Sequence, residues 1–432
     1  MNKFICRSII AGLAMIFFSF AGCSSNDEDI PEEVTLVKEI EIPISGTSDP
    51  IVPGQMIAVY GKGFTGSSEI WFHSSVKTKA DNLVEFKAEI ISVSDNGISF
   101  IAPKVSGQCD ILLKQDGKTQ TLGSAYIEEK NLDQLKEYMY VIGGIEDSPS
   151  VYQYIQGNDE LQKKSDLKKG DVIKFALPGT NGNGKVYYFQ RIDSSDKVGL
   201  CSYDLKINEE QVICSDWLNK FANDAAGQSI GMIEGSLCGV ECSWEKGFEI
   251  IQFGKNEKNA IIKTYPTNQL VAGKQVVKFY CEDDNLLFNY DTETKCVLVT
   301  GTIQFEGEED TSECLISLNI RTGDIKMIRD RQSNIWFQTL NTGKQILLLE
   351  TEENKTTIKQ INASTLETVS TLGVSNRYIF NPVYLEQSNE ICWASSDYGS
   401  AYYIMKYDLN TQKENVATCS LSYIETLFSI KY

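Results

Sequence analysis

Few residues in this sequence could support acid–base or metal chemistry. The chain of 432 residues contains a single histidine, His73. A Ser-His-Asp triad needs an imidazole as its base, and the usual histidine-ligated metal centres need several imidazoles. His73 follows Trp71 and Phe72 in a strand-like segment, which favours a surface or turn position over a ligand role. The composition therefore removes most catalytic triads, imidazole acid–base schemes and histidine-based metal sites.

One segment has the spacing of a phosphate-binding loop. Gly179–Lys185 reads GTNGNGK and satisfies the pattern G-x-x-x-x-G-K. The next residue is Val186, where a phosphate loop needs a Ser or Thr to hold magnesium. A strand-like Val-Tyr-Tyr-Phe run follows, so no helix N-terminus faces the loop. We predict a hairpin loop at this position, and no bound nucleotide or other cofactor.

Carboxylates are abundant, but their order along the chain assigns them no role. The run Glu306–Asp310 (EGEED) could collect a calcium ion, yet it lacks the alternating spacing of a calcium loop and joins two strand-like segments. We interpret it as a solvated hairpin tip and predict no metal site. A glycosidase needs two carboxyl groups about 5–9 Å apart, which sequence spacing does not reveal. No catalytic residue is therefore nominated.

Four tryptophans remain as candidates for ligand contact, because an indole ring can stack on the face of a sugar. Trp336 and Trp393 lie in strand-like segments (NIWFQTL and EICWASS). Trp217 and Trp244 lie in a less regular region, where insertions often build a binding mouth. These four are the candidates for ligand binding, and the alternative for each, which is the commoner use of tryptophan in propellers, is that it fills a blade core.

The cysteines do not form a compact disulfide framework. The chain has 12 cysteines, most of them in apolar strand-like contexts, and no CxxC pair. Free buried thiols are the expected state, and structural zinc is not expected. Cys238 and Cys242 are four residues apart, and the sequence leaves open whether they form a disulfide.

The charge balance restricts the partners. The sequence has 40 basic and 59 acidic residues, which gives a formal charge of −19. Nucleic acids and anionic membranes are bound by basic surfaces, so neither is expected as the main partner. An aromatic content of 10% suits a protein made of β-strands.

A repeated segment predicts how these residues are positioned. Three copies of a strand followed by a turn place Asn319, Asn362 and Asp408 at equivalent positions, 43 and 46 residues apart. An earlier copy contains Asp204, and a weaker one ends at Ile155. Each copy, with its neighbouring strands, forms a unit of about four strands, which is the content of one propeller blade.

The 115 residues between Asp204 and Asn319 leave room for one further copy with insertions. Part of this excess is predicted to be helical, because Ile213, Trp217 and Phe221 recur every four residues. Six copies predict six blades, with seven as the alternative. Two stacked sandwiches would explain the hairpins but not the regular spacing.

The repeated turn resembles the x-D-x-x-T-G-K hairpin of quinoprotein-like, YVTN-like and NHL-like β-propellers. The resemblance implies a β-propeller over residues 138–432, which follows a polar linker at 129–137. The predicted fold class is all-β, with an immunoglobulin-like β-sandwich before the propeller.

The sandwich is predicted over residues 36–128. Short alternating strands are separated there by turn residues, among them Pro50–Gly54 and the corner Gly61–Phe64 (GKGF). The order of these landmarks resembles that of the IPT/TIG domain, a small immunoglobulin-like sandwich that usually serves as a spacer or a binding module. We expect the sandwich and the propeller to fold independently.

The first residues indicate export. Residues 1–22 have the basic start and short apolar run of a signal peptide. The sequence Phe20-Ala21-Gly22-Cys23 resembles a bacterial lipobox, which implies that Cys23 carries the lipid and that residues 23–35 form a flexible tether. The short acidic run Ser24–Asp29 (SSNDED) resembles the export signal of Bacteroidota surface lipoproteins, and its alternative is a solvated tether.

These expectations combine into a cell-surface lipoprotein, held in the outer membrane by its lipid and facing the cell exterior. The resemblance implies an accessory to nutrient uptake that binds an extracellular ligand, most simply a glycan, or else a protein. The alternatives are a polysaccharide hydrolase or lyase with carboxylates in the propeller channel, and an adhesion or assembly scaffold.

Overall fold

The chain is built from β-strands. The computed structural model describes residues 51–74, 84–94, 97–128, 134–145, 148–156, 159–167, 172–180, 182–191, 198–215, 227–243, 247–253, 259–266, 274–280, 287–330, 334–397, 401–418 and 421–432. Within these ranges the strands form eight antiparallel sheets. The same ranges contain no helix that is long and apolar enough to cross a membrane.

Two of the sheets face each other in an N-terminal sandwich. The first has the order β1-β5-β4 and consists of β1 (Met56–Tyr60), β4 (Glu89–Ser94) and β5 (Gly97–Ile101). The second has the order β3-β2-β6-β7 and consists of β2 (Glu69–Ser74), β3 (Val84–Lys87), β6 (Gly107–Gln115) and β7 (Lys118–Ile127).

Aromatic side chains fill the space between these two sheets. Phe72 of one sheet meets Phe100 of the other edge to face, with ring centroids 6.0 Å apart. Phe64 packs against the same core from the predicted corner, where Gly63 adopts a φ of +97° that favours glycine. The corner therefore contributes an aromatic side chain to the core of the sandwich.

The other six sheets are the blades of a propeller. Blade 1 contains β8 (Glu137–Ile145), β9 (Ser148–Ile155), β10 (Glu160–Asp166) and β32 (Tyr423–Lys431). Blade 2 contains β11 (Val172–Pro178), β12 (Lys185–Arg191), β13 (Val198–Asp204) and β14 (Glu209–Cys214). Blade 3 contains β15 (Gly227–Ile233), β16 (Ser236–Ser243), β17 (Gly247–Phe253) and β18 (Asn259–Tyr265). Blade 4 contains β19 (Val276–Tyr280), β20 (Asn289–Asp291), β21 (Cys296–Phe305), β22 (Ser312–Asn319) and β23 (Ile325–Asp330). Blade 5 contains β24 (Ile335–Asn341), β25 (Ile346–Glu352), β26 (Lys355–Ile361) and β27 (Thr368–Ser375). Blade 6 contains β28 (Val383–Leu385), β29 (Glu390–Asp397), β30 (Ala401–Asp408) and β31 (Lys413–Thr418).

Six buried apolar clusters join the blades into a ring. Each cluster is shared by two neighbouring blades, and the one between blades 6 and 1 closes the circle. A single four-stranded sheet would leave both faces exposed, so the closed ring is what buries them. The structure thus confirms the predicted sandwich-plus-propeller fold, with six blades.

The ring is closed by a strand from the far end of the chain. β32 pairs with β8, in a register that runs from Tyr423 opposite Gly144 to Lys431 opposite Glu137. It thereby occupies the innermost position of blade 1. The ring of Phe428 stacks on that of Tyr140, with centroids 5.4 Å apart.

The repeated Asn/Asp positions are the capping residues of one hairpin in each of blades 2, 4, 5 and 6. The side chain of Asn319 accepts hydrogen bonds from the backbone N–H groups two and three residues later, at 2.9 and 2.8 Å. Asn362, Asp408 and Asp204 make the same pair of bonds. A short side-chain acceptor is needed for this turn, which explains why the position repeats.

The long gap between copies corresponds to blades 3 and 4. The innermost position of blade 4 is divided between β19 and β20, which pair with opposite ends of β21. This interruption accounts for part of the excess length. Ile213, the first residue of the predicted helical pattern, lies in strand β14, and the other two residues of that pattern are outside the described ranges.

The sandwich and the propeller share a buried interface. Met56 of β1 is fully buried in the cluster formed by blades 3 and 4, and its N–H donates to the carbonyl of Glu234 at 2.7 Å. Ser99 donates to Gln252 at 3.1 Å, and Arg321 forms an ion pair with Glu89. The two units expected to fold independently therefore cover apolar surface on each other.

Six cysteines of the described ranges are free and buried: Cys109, Cys201, Cys238, Cys296, Cys314 and Cys392. Cys238 and Cys242 lie in the same strand, β16, about 13 Å apart along it. A disulfide joins Cα atoms less than about 7 Å apart, so this strand cannot bridge the two.

The shared interface predicts that Met56→Ala will destabilise the protein. Removal of a fully buried methionine side chain costs about 2–5 kcal/mol, because a cavity remains. Urea unfolding would measure the loss. Ile207→Ala, at an exposed turn position, is the control and should change the free energy of unfolding by less than about 0.5 kcal/mol. Equal, small effects of both substitutions would contradict a shared core.

Candidate functional site

The centre of the propeller contains a cavity of about 640 Å³. The innermost strands of the six blades surround it, namely β11, β15, β20, β24, β28 and β32. Each of these strands runs toward the same face of the ring, so their last residues and the turns that follow form a common mouth. The cavity extends from this mouth inward along the strands.

The wall combines apolar side chains with uncharged hydroxyl and amide groups. The apolar part consists of Val52, Pro53, Leu177, Pro178, Met232, Leu287, Phe288, Leu340, Pro382, Val383, Leu427, Phe428 and Ile430. The uncharged polar part includes Gln55, Thr180, Asn289, Tyr290, Thr292, Thr300, Gln338, Thr339, Asn341, Thr342, Asn381, Tyr384, Thr426 and Ser429. Such a wall suits a ligand that offers both apolar surface and hydrogen-bonding groups.

Gln338 stands out among these residues because part of its amide is unpaired. Its side chain lines the cavity and is 6% exposed. Within the described structure the Nε2 atom has no hydrogen-bond partner. A buried donor without an acceptor costs about 1–3 kcal/mol, so this position is destabilising unless something supplies an acceptor.

Two neighbouring amides in the wall are, by contrast, fully used by the protein. Asn289 donates through Nδ2 to the carbonyl and the hydroxyl of Thr339, at 2.8 and 3.0 Å. Asn341 donates to the carbonyl of Tyr290 at 2.7 Å and accepts from the N–H of Gly343 at the same distance. These bonds hold β20 against β24 and keep the mouth in shape.

A close approach of two blades also shapes the wall. The N–H of Phe288 donates to the carbonyl of Ile230 at 2.9 Å, which draws the Leu287–Phe288 segment onto β15. The ring of Phe288 lies against Gly231, where a Cβ atom would clash with it. Glycine is needed here because the ring occupies the space of a side chain.

Three carboxylates lie in the wall, and each is engaged by the protein. Glu137 accepts hydrogen bonds from the N–H groups of Glu386 and Gln387, at 3.1 and 3.0 Å, and from the hydroxyl of Ser429 at 3.0 Å. Glu386 itself pairs with Lys431 and Lys344. The hydrogen bond from Lys431 and then that from Lys344 hold the pKa of Glu386 below its usual value.

The third carboxylate, Glu234, lies at the turn between β15 and β16. Its Oε1 atom accepts from the hydroxyl of Tyr290 at 2.9 Å and from Nζ of Lys295 at 2.7 Å. Burial, followed by the charge of Glu234, raises the pKa of Tyr290, so the phenol stays protonated and donates. The described residues contain no group of histidine, cysteine and acidic side chains that could hold a metal ion.

The two tryptophan candidates within the described ranges lie outside this wall. Trp393 is fully buried in the core between blades 5 and 6, so its ring cannot stack on a ligand. Trp336 is half-buried near the start of β24 and contacts Tyr378 edge to face, with ring centroids 6.5 Å apart. Trp217, Trp244 and the lipidation candidate Cys23 lie outside the described residues.

The phosphate-loop match is a hairpin, as predicted. It connects β11 with β12, and the N–H of Gly179 donates to the carbonyl of Lys185 at 2.8 Å. The N–H of Lys185 donates to Oδ1 of Asn183 at 2.9 Å. The loop contributes Gly179 and Thr180 to the mouth of the cavity.

The acidic run forms the connection between β21 and β22. Glu308 pairs there with Arg329 and Lys274, and the hydrogen bonds from these two side chains lower its pKa to about 2. The charge of this carboxylate is therefore neutralised by basic side chains of blade 4.

Sequence reasoning missed the wall of the cavity, including Gln338. The available signal was local: Gln338 is a polar residue inside the apolar strand segment NIWFQTL. That pattern marks a polar group facing inward, but it does not show that six strands meet around one space.

No family model and no protein of curated function matches the sequence. Among solved structures, a DUF4784 family protein from Bacteroides caccae is similar at 10% identity and a TM-score of 0.39, over 88% of this chain and 96% of that chain. TolB from Acinetobacter baumannii is similar at 11% identity and a TM-score of 0.44, over 76% and 80%. At these scores the likenesses carry no argument about function.

The unpaired amide predicts an unusual mutational effect. Gln338→Met keeps the approximate size of the side chain and removes the buried donor, so it should stabilise the ligand-free protein by about 1 kcal/mol. Gln252 is another buried glutamine, and its amide is paired with Ser99 and with the carbonyl of Met56. Gln252→Met should therefore destabilise the protein. Thermal unfolding of both variants checks the signs, and destabilisation by Gln338→Met would show that its amide is already satisfied.

Proposed function

We propose that this protein binds a neutral, hydroxyl-rich extracellular ligand, a glycan, in the central cavity of the propeller. The observation that carries the proposal is the unpaired Nε2 of Gln338 in a wall of hydroxyl, amide and apolar groups. A rotation of this amide toward the cavity would let a sugar hydroxyl accept the hydrogen bond that the protein leaves unmade. The volume of about 640 Å³ lies within the range of about 300–1,000 Å³ that is common for ligand pockets.

Charge supports a neutral ligand. Among the described residues, the wall contains the three carboxylates of Glu137, Glu234 and Glu386 but only one ammonium group, that of Lys431. The whole chain carries a formal charge of −19. An anionic ligand would meet repulsion both at a distance and inside the cavity.

The state of the carboxylates favours binding over catalysis. A glycosidase needs one carboxyl group that is protonated near neutral pH and can act as an acid. Glu386 is held in the ionised form by two lysines, and Glu137 and Glu234 already accept hydrogen bonds from the protein. The alternatives remain a polysaccharide hydrolase or lyase and a protein-binding scaffold.

The proposed location is the outer face of the outer membrane. The signal-peptide pattern of residues 1–22 and the lipobox-like sequence ending at Cys23 support a lipid anchor. A sandwich of the proposed IPT/TIG type would then stand between the anchor and the propeller. The protein would act as an accessory to nutrient uptake, with the ligand as its extracellular partner.

Glycan-array binding with residues 24–432 tests the ligand class, and titration calorimetry tests the site. Gln338→Met should weaken binding of an array-positive glycan about tenfold, because one buried hydrogen bond is lost. Gln360→Met, the same change on β26 of the same blade and outside the cavity wall, should leave binding unchanged. EDTA should have no effect. A blank array would count against the glycan, and release of shortened sugar would favour the hydrolase or lyase.

The anchor is tested separately. Cys23→Ala removes the residue to which the lipid would attach, so the protein should move from the membrane fraction to the soluble fraction after lysis without detergent. Cys109→Ala, a substitution at a buried thiol of the sandwich, is the control and should leave the protein with the membranes. A Cys23→Ala protein that still sediments with membranes would show that the anchor assignment is wrong.

A further inference from the structure

The sandwich contributes one wall of the central cavity. Four consecutive residues, Val52–Gln55, line it and are here called the sandwich turn. All other lining residues of the described structure belong to the propeller. A domain that acted only as a spacer would have no reason to reach the binding site of its neighbour.

The sandwich turn is held in shape by its own hydrogen bonds. The N–H of Val52 donates to Oε1 of Gln55 at 3.1 Å, and the N–H of Gln55 donates back to the carbonyl of Val52 at 3.0 Å. The N–H of Gly54 donates to the carbonyl of Ala102 at 2.9 Å. The turn is therefore preformed, so a ligand that meets it need not order it first.

Glu234 links the docking of the sandwich to the cavity wall. Its carbonyl accepts the N–H of Met56 at 2.7 Å, and the hydroxyl of Ser236 donates to the carbonyl of Met56 at 2.6 Å. Its carboxylate lies in the wall with Tyr290 and Lys295. The backbone of Glu234 has a φ of +45°, a conformation that is uncommon for a side chain of this type. One turn therefore positions both the docked sandwich and a polar part of the wall.

We infer that the ligand site is composite: a neutral oligosaccharide contacts the propeller and the sandwich turn together. This inference rests on the proposed function and adds the second domain to it. A ligand that contacts both units binds the docked arrangement better than any other, so occupancy and docking stabilise each other. The shape of the sandwich turn then contributes to the choice among neutral sugars.

Gly54 provides a way to change this wall without disturbing the fold. It is exposed, its φ is +83°, and a Cβ atom there would meet no other atom within 4 Å. Asparagine tolerates a positive φ better than most residues, so Gly54→Asn adds a side chain to open space at little cost. Gly117, between β6 and β7, has a φ of +75° and equally open surroundings but lies outside the cavity wall. Gly117→Asn is therefore a matched control in the same domain.

Calorimetry with maltotriose, cellotriose, xylotriose and tri-N-acetylchitotriose would test the inference, after thermal unfolding has shown that both variants fold. For a sugar that binds the unaltered chain, Gly54→Asn should weaken binding at least about tenfold by steric exclusion or change the order of preference among the four. Gly117→Asn should bind each sugar with the same affinity as the unaltered protein.

The outcomes separate the two proposals. If Gly54→Asn binds like the unaltered chain while Gln338→Met binds more weakly, the cavity binds sugar without the sandwich and the composite site is wrong. If neither substitution changes the affinity for a sugar that binds, the central cavity is not the site. If none of the four sugars binds the unaltered chain, the proposed ligand class fails and this inference fails with it.

Discussion

Closure of the ring by β32 is the constraint on which the rest of the structure depends. Each blade buries its faces only against two neighbours, so a ring that lacked the pairing of β32 with β8 would expose the clusters on both sides of blade 1. The same strand lines the cavity from Thr426 to Lys431. Glu137 links ring closure to the cavity wall, because its carboxylate accepts hydrogen bonds from Ser429 of β32 and from the N–H of Glu386 in the turn after β28.

The sandwich adds a second constraint, at one side of the ring only. Met56 enters the core between blades 3 and 4, and Gln252 of blade 3 receives the hydroxyl of Ser99. These contacts fix the sandwich turn over the mouth, where mobile attachment would leave the cavity open on that side. The interruption between β19 and β20 lies in blade 4, and the segment before β20 crosses to β15 through Phe288. The sandwich therefore docks onto the least regular part of the ring.

The sequence carried the local rules of this fold but not the geometry of its centre. Asn319, Asn362 and Asp408 predicted the blades because a capped turn requires a particular side chain at a particular place. The role of Trp393 could not be assigned in the same way, because the local sequence around a tryptophan in a strand does not show whether its ring faces a core or a ligand. Gln338 was missed for a related reason: its environment is made by five other blades and by residues hundreds of positions away, and neither periodicity nor spacing reports such distances.

The buried free thiols have a consequence for how the molecule behaves once it unfolds. Burial raises the pKa of Cys238 and Cys392, so these sulfurs stay protonated and inert while the blades are intact. Unfolding would expose all six described thiols together, although the native fold places none of them in a disulfide. Under oxidising conditions the unfolded chain would then acquire crosslinks among these six thiols, which the native fold keeps unpaired. Persistence in such an environment would be governed by the rate of unfolding and not by the equilibrium between the two states.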